Sequence, residues 1–301
     1  MNQTTLVQCG CAVFVASMVL AVKMLRSRAR DRLKTRDPDG ASPQLQQKKS
    51  QWVAEQGILK QRMVEQDSAK CFEGVTTAGC FPNLKYVGGV DISFLKADPT
   101  RAVACVAILD FPNLSVLAVR FKEVVMTEPY IAGFLAFREY AGLQELLQEV
   151  KTEFPNIFPQ VILVDGNGKL HYRGFGLASH LGVVCDIPTI GIGKNLLCFD
   201  GLERHIEMPK FDVQRQARLA RSGSEADGPV IHPLVGNSGV TWGNAMAFST
   251  KIQKPVFVSV GHRVSLETAT QLAAGCCKYR LPEPVRQADL LSREYVRNNL
   301  S

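Results

Sequence analysis

The sequence contains no Cys-x-x-Cys pair, which removes zinc ribbons and thioredoxin-type redox motifs from consideration. Its nine cysteines are an odd number. Several sit among apolar residues, as in Val103-Ala-Cys105-Val-Ala and Gly182-Val-Val-Cys185, and read as reduced core thiols of a cytosolic or nuclear protein. No internal repeat is present. Beyond residue 50 net charge is nearly absent: 26 Lys and Arg stand against 25 Asp and Glu. The formal charge of +7 is concentrated in residues 1–50, where nine basic residues face three acidic ones. The basic pI therefore describes the N-terminal segment and is no argument for a nucleic-acid surface on the remainder. A basic groove balanced by acids elsewhere stays open. With 46% hydrophobic and 21% charged residues over 301 positions, a disordered chain, a collagen and a polytopic membrane protein are excluded.

What is present begins with one uncharged run, residues 6–22, LVQCGCAVFVASMVLAV. Lys23 to Arg36 follows with seven basic residues and one acid, Asp31. A short apolar span with basic residues after it has the pattern of a signal-anchor. A cleaved secretory signal would carry its positive residues before the run. A mitochondrial presequence would spread arginines through an amphipathic helix. An alternative start site that omits the segment is a further possibility. Asp37 to Pro43 (DPDGASP) is a breaker-rich linker. The expected organisation is an N-terminal extension over 1–45, a folded domain over 46–297 and a short tail over 298–301.

Hydrophobic periodicity predicts a surface helix over Gln46–Cys71, carrying Trp52, Ile58, Leu59, Met63 and Val64. Strands are expected at 86–95, 101–111 and 114–125; the short turns between them imply an antiparallel meander. A helix over 134–151, a buried strand at 161–164, a short helix at 177–185 and a strand at 189–192 follow. This is the element order of the ribonuclease H-like fold: an α/β protein with a mixed central sheet, antiparallel meander then parallel strands, flanked by helices. Gly201 to Gly239 reads as polar and irregular, with a mobile insertion at 222–228. Strands at 240–249 and 256–260 and helices at 265–277 and 284–297 complete the chain.

Two carboxylates sit in apolar strands: Asp91 in Val87-Gly-Gly-Val-Asp-Ile-Ser and Asp165 at the end of Val161-Ile-Leu-Val164. An ionised carboxylate among buried strands costs several kcal/mol, roughly, unless it is paired or bound to a metal. In the predicted fold the first and fourth strands are neighbours, which brings the two acids together. Their repulsion raises one pKa, and a divalent cation relieves it. Oxygen ligands without Cys or His favour Mg²⁺ or Mn²⁺ over zinc. The alternative is a pair of structural aspartates satisfied by backbone N–H groups. Glu139, on the helix after the third strand, reads alone as an exposed-face residue, and Asp289 as a first-turn aspartate favoured by the helix dipole.

The segments GGVDIS (88–93), PYIAGFLAFRE (129–139), VILVDGNGKLHYRGFGLASHLGV (161–183), GIGK (191–194), SVGHRVSLETA (259–269) and RLPEPVRQAD (280–289) together resemble the endonuclease V family, in vertebrate-like wording. Their order and spacing match over about residues 46–297. The resemblance implies a ribonuclease H-like endonuclease that recognises hypoxanthine in inosine or deoxyinosine. It implies cleavage of the second phosphodiester bond on the 3′ side, 3′-hydroxyl and 5′-phosphate ends, and a requirement for Mg²⁺, with Mn²⁺ as substitute. Asp91 and Asp165 match the family's metal-binding aspartates, Glu139 its third acid and Asp289 its fourth. Lys194 matches the lysine near the scissile phosphate and Tyr130 the aromatic wedge. After Tyr130-Ile131 this chain has Ala132, where the family usually has Pro or a small residue. Gly166-Asn167-Gly168 is expected to let the backbone approach a flipped purine. His171, His180 and His262 read as structural. The implied partner is single-stranded RNA containing inosine, with deoxyinosine DNA as a second substrate, acted on by a monomer. The implied location is the cytoplasm and nucleus or nucleolus; a membrane tether through residues 6–22 is the alternative. Two competing classes remain: another ribonuclease H-like nuclease such as a resolvase, against which the Tyr130 wedge argues, and a non-catalytic inosine-RNA binder, against which the four acids argue.

Overall fold

A computed structural model describes residues 43–76, 79–222 and 228–300. The chain divides into two units, residues 1–51 and 52–301. Of the first, only the opening of helix α1 (Pro43–Lys60) is described; everything below concerns the second. The apolar run at 6–22 lies outside the described residues, among which no helix is long and apolar enough to cross a membrane.

The sheet is built as the patterning implied. Strands β1 (Tyr86–Phe94), β2 (Arg101–Asp110) and β3 (Val116–Val125) form the antiparallel meander. Helix α2 (Leu135–Glu153) returns the chain to β4 (Val161–Asp165), which pairs parallel with β1. Helix α3 (Leu177–Cys185) leads to β5 (Thr189–Gly193), parallel to β4. Helix α4 (Arg204–Ser222) precedes β6 (Val230–Val235), β7 (Thr241–Ala247) and β8 (Val256–His262), and α5 (Leu266–Gly275) and α6 (Glu283–Asn299) close the chain. The strand order is β3-β2-β1-β4-β5-β8-β7-β6. β4 is apolar at Val161 through Val164 and buried throughout those four positions, as expected of a parallel strand covered on both faces.

Two layers of core flank this sheet. One packs α2 and α3 through Leu143, Leu146, Leu147, Val150 and Leu181 onto Val90, Ile162 and Val164. The other packs α5 and α6 through Ala269, Leu272, Val285 and Ala288 onto Val87, Leu163 and Ile190. Gly89 permits the second layer to come close: a Cβ there would overlap the Pro284 carbonyl at the start of α6. This close approach of helix to strand later sets the position of Asp289. All seven described cysteines are free thiols, with Cys71, Cys105 and Cys276 buried.

Two segments depart from the sequence reading. The helix expected over 46–71 ends at Lys60. The backbone beyond it is drawn into tertiary bonds: the Val64 N–H donates to His262 Nδ1 at 3.2 Å, and the Val64 carbonyl accepts from the Arg263 N–H at 2.7 Å. The stretch 201–239, expected to be irregular, holds α4 and β6. The buried face of α4 recurs as Glu207, Phe211 and Arg215. Two of those three are charged, so apolar periodicity is silent there. Glu207 is satisfied by His232 Nε2 at 2.7 Å and Lys210 at 2.8 Å, and Arg215 by the Thr250 carbonyl at 2.9 Å. Of the insertion expected at 222–228, residues 223–227 lie outside the described residues.

Candidate active site

The parallel register of β1 on β4 pairs Val90 with Val164, so the next residue on each strand, Asp91 and Asp165, emerges at the same end of the sheet. Helix α6, seated on β1 through Gly89, adds Asp289. One carboxylate oxygen from each of the three lies within 4.8 Å of the others. Lys194, just past the end of β5, inserts its ammonium between Asp165 and Asp289. It pairs with Asp165 Oδ2 and donates to Asp289 Oδ1 at 2.8 Å. Arg293, one turn after Asp289 on α6, also donates to Asp289 Oδ1, at 2.6 Å. The acids open onto a cleft of about 910 Å³ that includes Phe94, Lys96 and Arg297.

The charge balance is incomplete. Burial, then repulsion from Asp165, raises the Asp91 carboxyl to about 7. Glu139 approaches from α2, on the other side of Asp91 and Asp165, across a smaller cavity of about 190 Å³. Its burial, then the charges of Asp91 and Asp165, raise it to about 8. Burial acts against the Lys194 ammonium, but its bonds to Asp165 and Asp289 outweigh that and raise its pKa. The Lys194 ammonium and the Arg293 guanidinium together face four acids and leave Asp91 and Glu139 without a direct cationic partner among the described residues.

This has a measurable consequence. With both carboxyls raised, the folded chain holds protons near neutrality that the unfolded chain has released. Stability contributed by Asp91 and Glu139 is therefore present at low pH and is lost as pH rises toward 7 and 8. In the absence of divalent cation, Tm is expected to fall between about pH 5 and 8.5, and Glu139→Gln to flatten that slope. A Tm in the variant that tracks the parent over this range would rule out Glu139 as a source of the strain.

The remaining expected residues lie on the α2 side. Tyr130 is 69% exposed, which excludes it as a core aromatic. The loop that carries it is clamped from the β4–α3 connection. The Tyr172 hydroxyl donates to the Ala132 carbonyl at 3.1 Å, and Arg173 donates to the Gly133 carbonyl. The Arg173 guanidinium lies over the rings of Phe134, 3.9 Å from its centroid, and Tyr172, 4.4 Å. Gly133 has φ +79°, and a Cβ there would overlap the Tyr172 hydroxyl, so only glycine fits. Stiffness absent from the sequence at Ala132 is supplied by this clamp.

Gly166-Asn167-Gly168 forms the start of the same connection. Much of its backbone is used internally: the Gly168 N–H donates to Ser259 Oγ at 2.9 Å, the Gly168 carbonyl accepts from Gly176 and the Asn167 carbonyl from Ala178. The Asn167 Oδ1 is buried and has no hydrogen-bond partner among the described residues. His171 and His180 are buried, and burial lowers both to about 4.

Sequence reasoning missed Ser292. It sits three residues after Asp289 on the inner face of α6, with its hydroxyl 3.1 Å from Asp91 Oδ2 and 2.8 Å from the Ser93 hydroxyl. The i, i+3 spacing from Asp289 was its available signal. Arg293, four residues after Asp289 and opposite in charge, carried the same kind of signal; the Tyr172–Arg173 clamp had none, because it acts on residues distant in sequence.

A ribonuclease H-like sheet with acidic side chains at the adjoining ends of its first and fourth strands defines a nuclease class. The family model for Endonuclease V matches residues 70–290. The chain is 44% identical over 251 residues to Endonuclease V of Homo sapiens, covering 83% of this chain and 84% of that one. It is 45% identical over 251 residues to Endonuclease V of Mus musculus, covering 83% and 70%. The crystal structure of the catalytic domain of human Endonuclease V superposes with TM-score 0.74 at 42% identity, over 84% of this chain and 98% of that one. Endonuclease V of Ciona intestinalis, crystallised with a 23mer DNA containing an inosine followed by a ribo-adenosine, gives TM-score 0.72 at 33% identity, over 83% and 98%. The chain belongs to the Endonuclease V family and is a nuclease.

Proposed function

We propose that this nuclease is a divalent-metal-dependent endonuclease acting on inosine-containing RNA, and on deoxyinosine-containing DNA, at the second phosphodiester bond 3′ to the inosine. It leaves 3′-hydroxyl and 5′-phosphate ends. The observation that carries the reading is the trio Asp91, Asp165 and Asp289, with carboxylate oxygens within 4.8 Å of one another beside a single ammonium. The donor set is all hard oxygen, and its acids retain a deficit of positive charge, which suits Mg²⁺ or Mn²⁺. Such an ion, held by these three aspartates, would supply Lewis-acid stabilisation of the phosphate and a more acidic attacking water. Lys194 stands where it can donate to a nonbridging phosphate oxygen and stabilise charge developing there. Glu139, whose carboxyl is raised to about 8 by burial and then by the charges of Asp91 and Asp165, borders the same acids from α2 and can exchange a proton with water at the site. Inosine as the recognised base is supported by the Ciona relative's bound DNA and by Tyr130, an exposed ring on a clamped loop beside the acids' α2 side. We propose residues 46–297 as the catalytic domain, active as a monomer in the cytoplasm and nucleus.

The test is cleavage of end-labelled RNA and DNA strands of matched sequence carrying inosine, guanosine or adenosine at one position, with Mg²⁺, Mn²⁺ or chelator. Inosine-dependent, metal-dependent products one nucleotide beyond the inosine are expected. Cutting that ignores the base, or persists in chelator, overturns the reading. Cutting DNA alone overturns its RNA part.

A further inference from the structure

A second groove, of about 760 Å³, meets the catalytic cleft at Lys194 and runs between the end of β5, the start of β8 and the start of α4. Basic side chains dominate it: Lys194, Arg204, His205, Lys254 and Arg280 line it, and Glu203 is the one acid among its lining residues. Glu203 lies 3.9 Å from His205. Among the described residues no carboxylate pairs with Arg204, Lys254 or Arg280. This contrasts with the even balance of charge beyond residue 50.

The scaffold holds these cations together against their repulsion. The Arg280 guanidinium donates to the carbonyls of Lys194 at 2.8 Å, Lys254 at 3.1 Å and Pro255 at 3.1 Å, which ties the groove wall to the segment that presents Lys194. Burial, then the charge of Arg204, lowers the Arg280 pKa. Basic side chains gathered along one groove, with Glu203 as the one acid among them, fit a polyanion, whose phosphates supply the missing charge.

The side of the substrate follows from where the groove lies. The inosine precedes the cut, and Tyr130, the residue proposed to meet it, stands in the loop that leads into α2. It does not line the groove, which shares Lys194 with the catalytic cleft. We infer that this groove, through Arg204, Lys254 and Arg280, binds the phosphates of the single strand on the 3′ side of the cut. The inference rests on the proposed inosine-directed cleavage for the polarity of the strand, and on the groove itself for its chemistry.

The experiment uses the full chain and an Arg204→Gln/Lys254→Gln double variant, both positions being exposed. Tm of both proteins is measured first and is expected to agree. Binding to inosine-containing single-stranded RNA is then titrated without divalent cation across a range of salt, using one strand with a long arm 3′ of the cut, one truncated there, and one truncated on the 5′ side. On strands with the 3′ arm, the variant should bind about five- to tenfold more weakly at low salt, with a salt slope smaller by about 1.4, or 0.7 for each of two lost phosphate contacts. On the strand lacking that arm the two proteins should bind alike. Cleavage should show a raised KM with unchanged kcat, since neither residue touches the acids. Equal affinities on every strand, or a loss that follows the 5′ arm, overturns the inference. An inosine-free single strand separates the two readings. If the parent fails to cut any inosine strand, the proposed function falls. A smaller salt slope for the variant on the inosine-free strand then still supports the groove as a phosphate site, and an unchanged slope rejects it.

Discussion

Asp165→Ala is expected to reduce cleavage of an inosine strand about a hundredfold or more, the scale seen when one preorganised electrostatic contact to a reacting group is removed. Binding of the same strand should persist. The reason lies in the geometry: Asp165 belongs to the trio and, with Asp289, holds the Lys194 ammonium, so its loss both opens the cation site and leaves the lysine to Asp289 alone. Asp91→Ala should behave alike, through the cation site without the lysine. Fold is not the cause of the loss, because removing one of several repelling acids relieves strain; in the absence of divalent cation at pH 8, Tm of Asp91→Asn should equal or exceed that of the parent. A variant retaining more than about a tenth of the parent rate, an effect of only about 1.4 kcal/mol, would falsify the assignment of that ligand. Adding Mg²⁺ should raise Tm of the parent and leave that of Asp165→Ala unchanged, since an ion stabilises only the state that binds it.

Tyr130→Ala should weaken binding to inosine strands about five- to a hundredfold, the equivalent of roughly 1–3 kcal/mol of base stacking. Tm should not move, because the ring is 69% exposed and exposed truncations rarely exceed about 0.5 kcal/mol. The loop itself should survive the change, since the contacts that hold it run from Tyr172 and Arg173 to the carbonyls of Ala132 and Gly133. Tyr130→Phe should be nearly neutral, because the ring and not the hydroxyl stacks. The loss should be larger on paired substrates, where the ring replaces a displaced base, than on single strands. Unchanged inosine affinity in a folded Tyr130→Ala protein would remove the wedge from the account.

Much of the active site could be read in the sequence because burial makes charge conspicuous. Asp91 and Asp165 stand out among apolar strand residues, and the strand order of the ribonuclease H-like fold makes the first and fourth strands neighbours; the observed parallel β1–β4 pairing brings their ends together. Strand alternation and short turns likewise suffice for the meander, and the length of apolar run for β4. Helix α4 escaped because its inward positions, Glu207 and Arg215, are charged. They are tolerable there only through partners at His232 and Thr250, and no local pattern announces a partner that distant.

By itself the sequence determined the order of elements outside residues 201–239, the two strand-borne aspartates and, through its motifs, the family. These depend on local periodicity and on residue types that are costly to bury without purpose. Tertiary structure alone decided which acids meet. Asp289 joins Asp91 and Asp165 because Gly89 lets α6 lie against β1, while Glu139, also a carboxylic acid, stands apart across a small cavity. It also decided that the loop bearing Tyr130 is held by Tyr172 and Arg173, and that basic residues from separated segments line one groove with Glu203 as the one acid among them. Contacts of this kind join positions far apart in the chain, and only closure of the sheet and docking of its helices sets the distances on which hydrogen bonding and Coulomb forces depend.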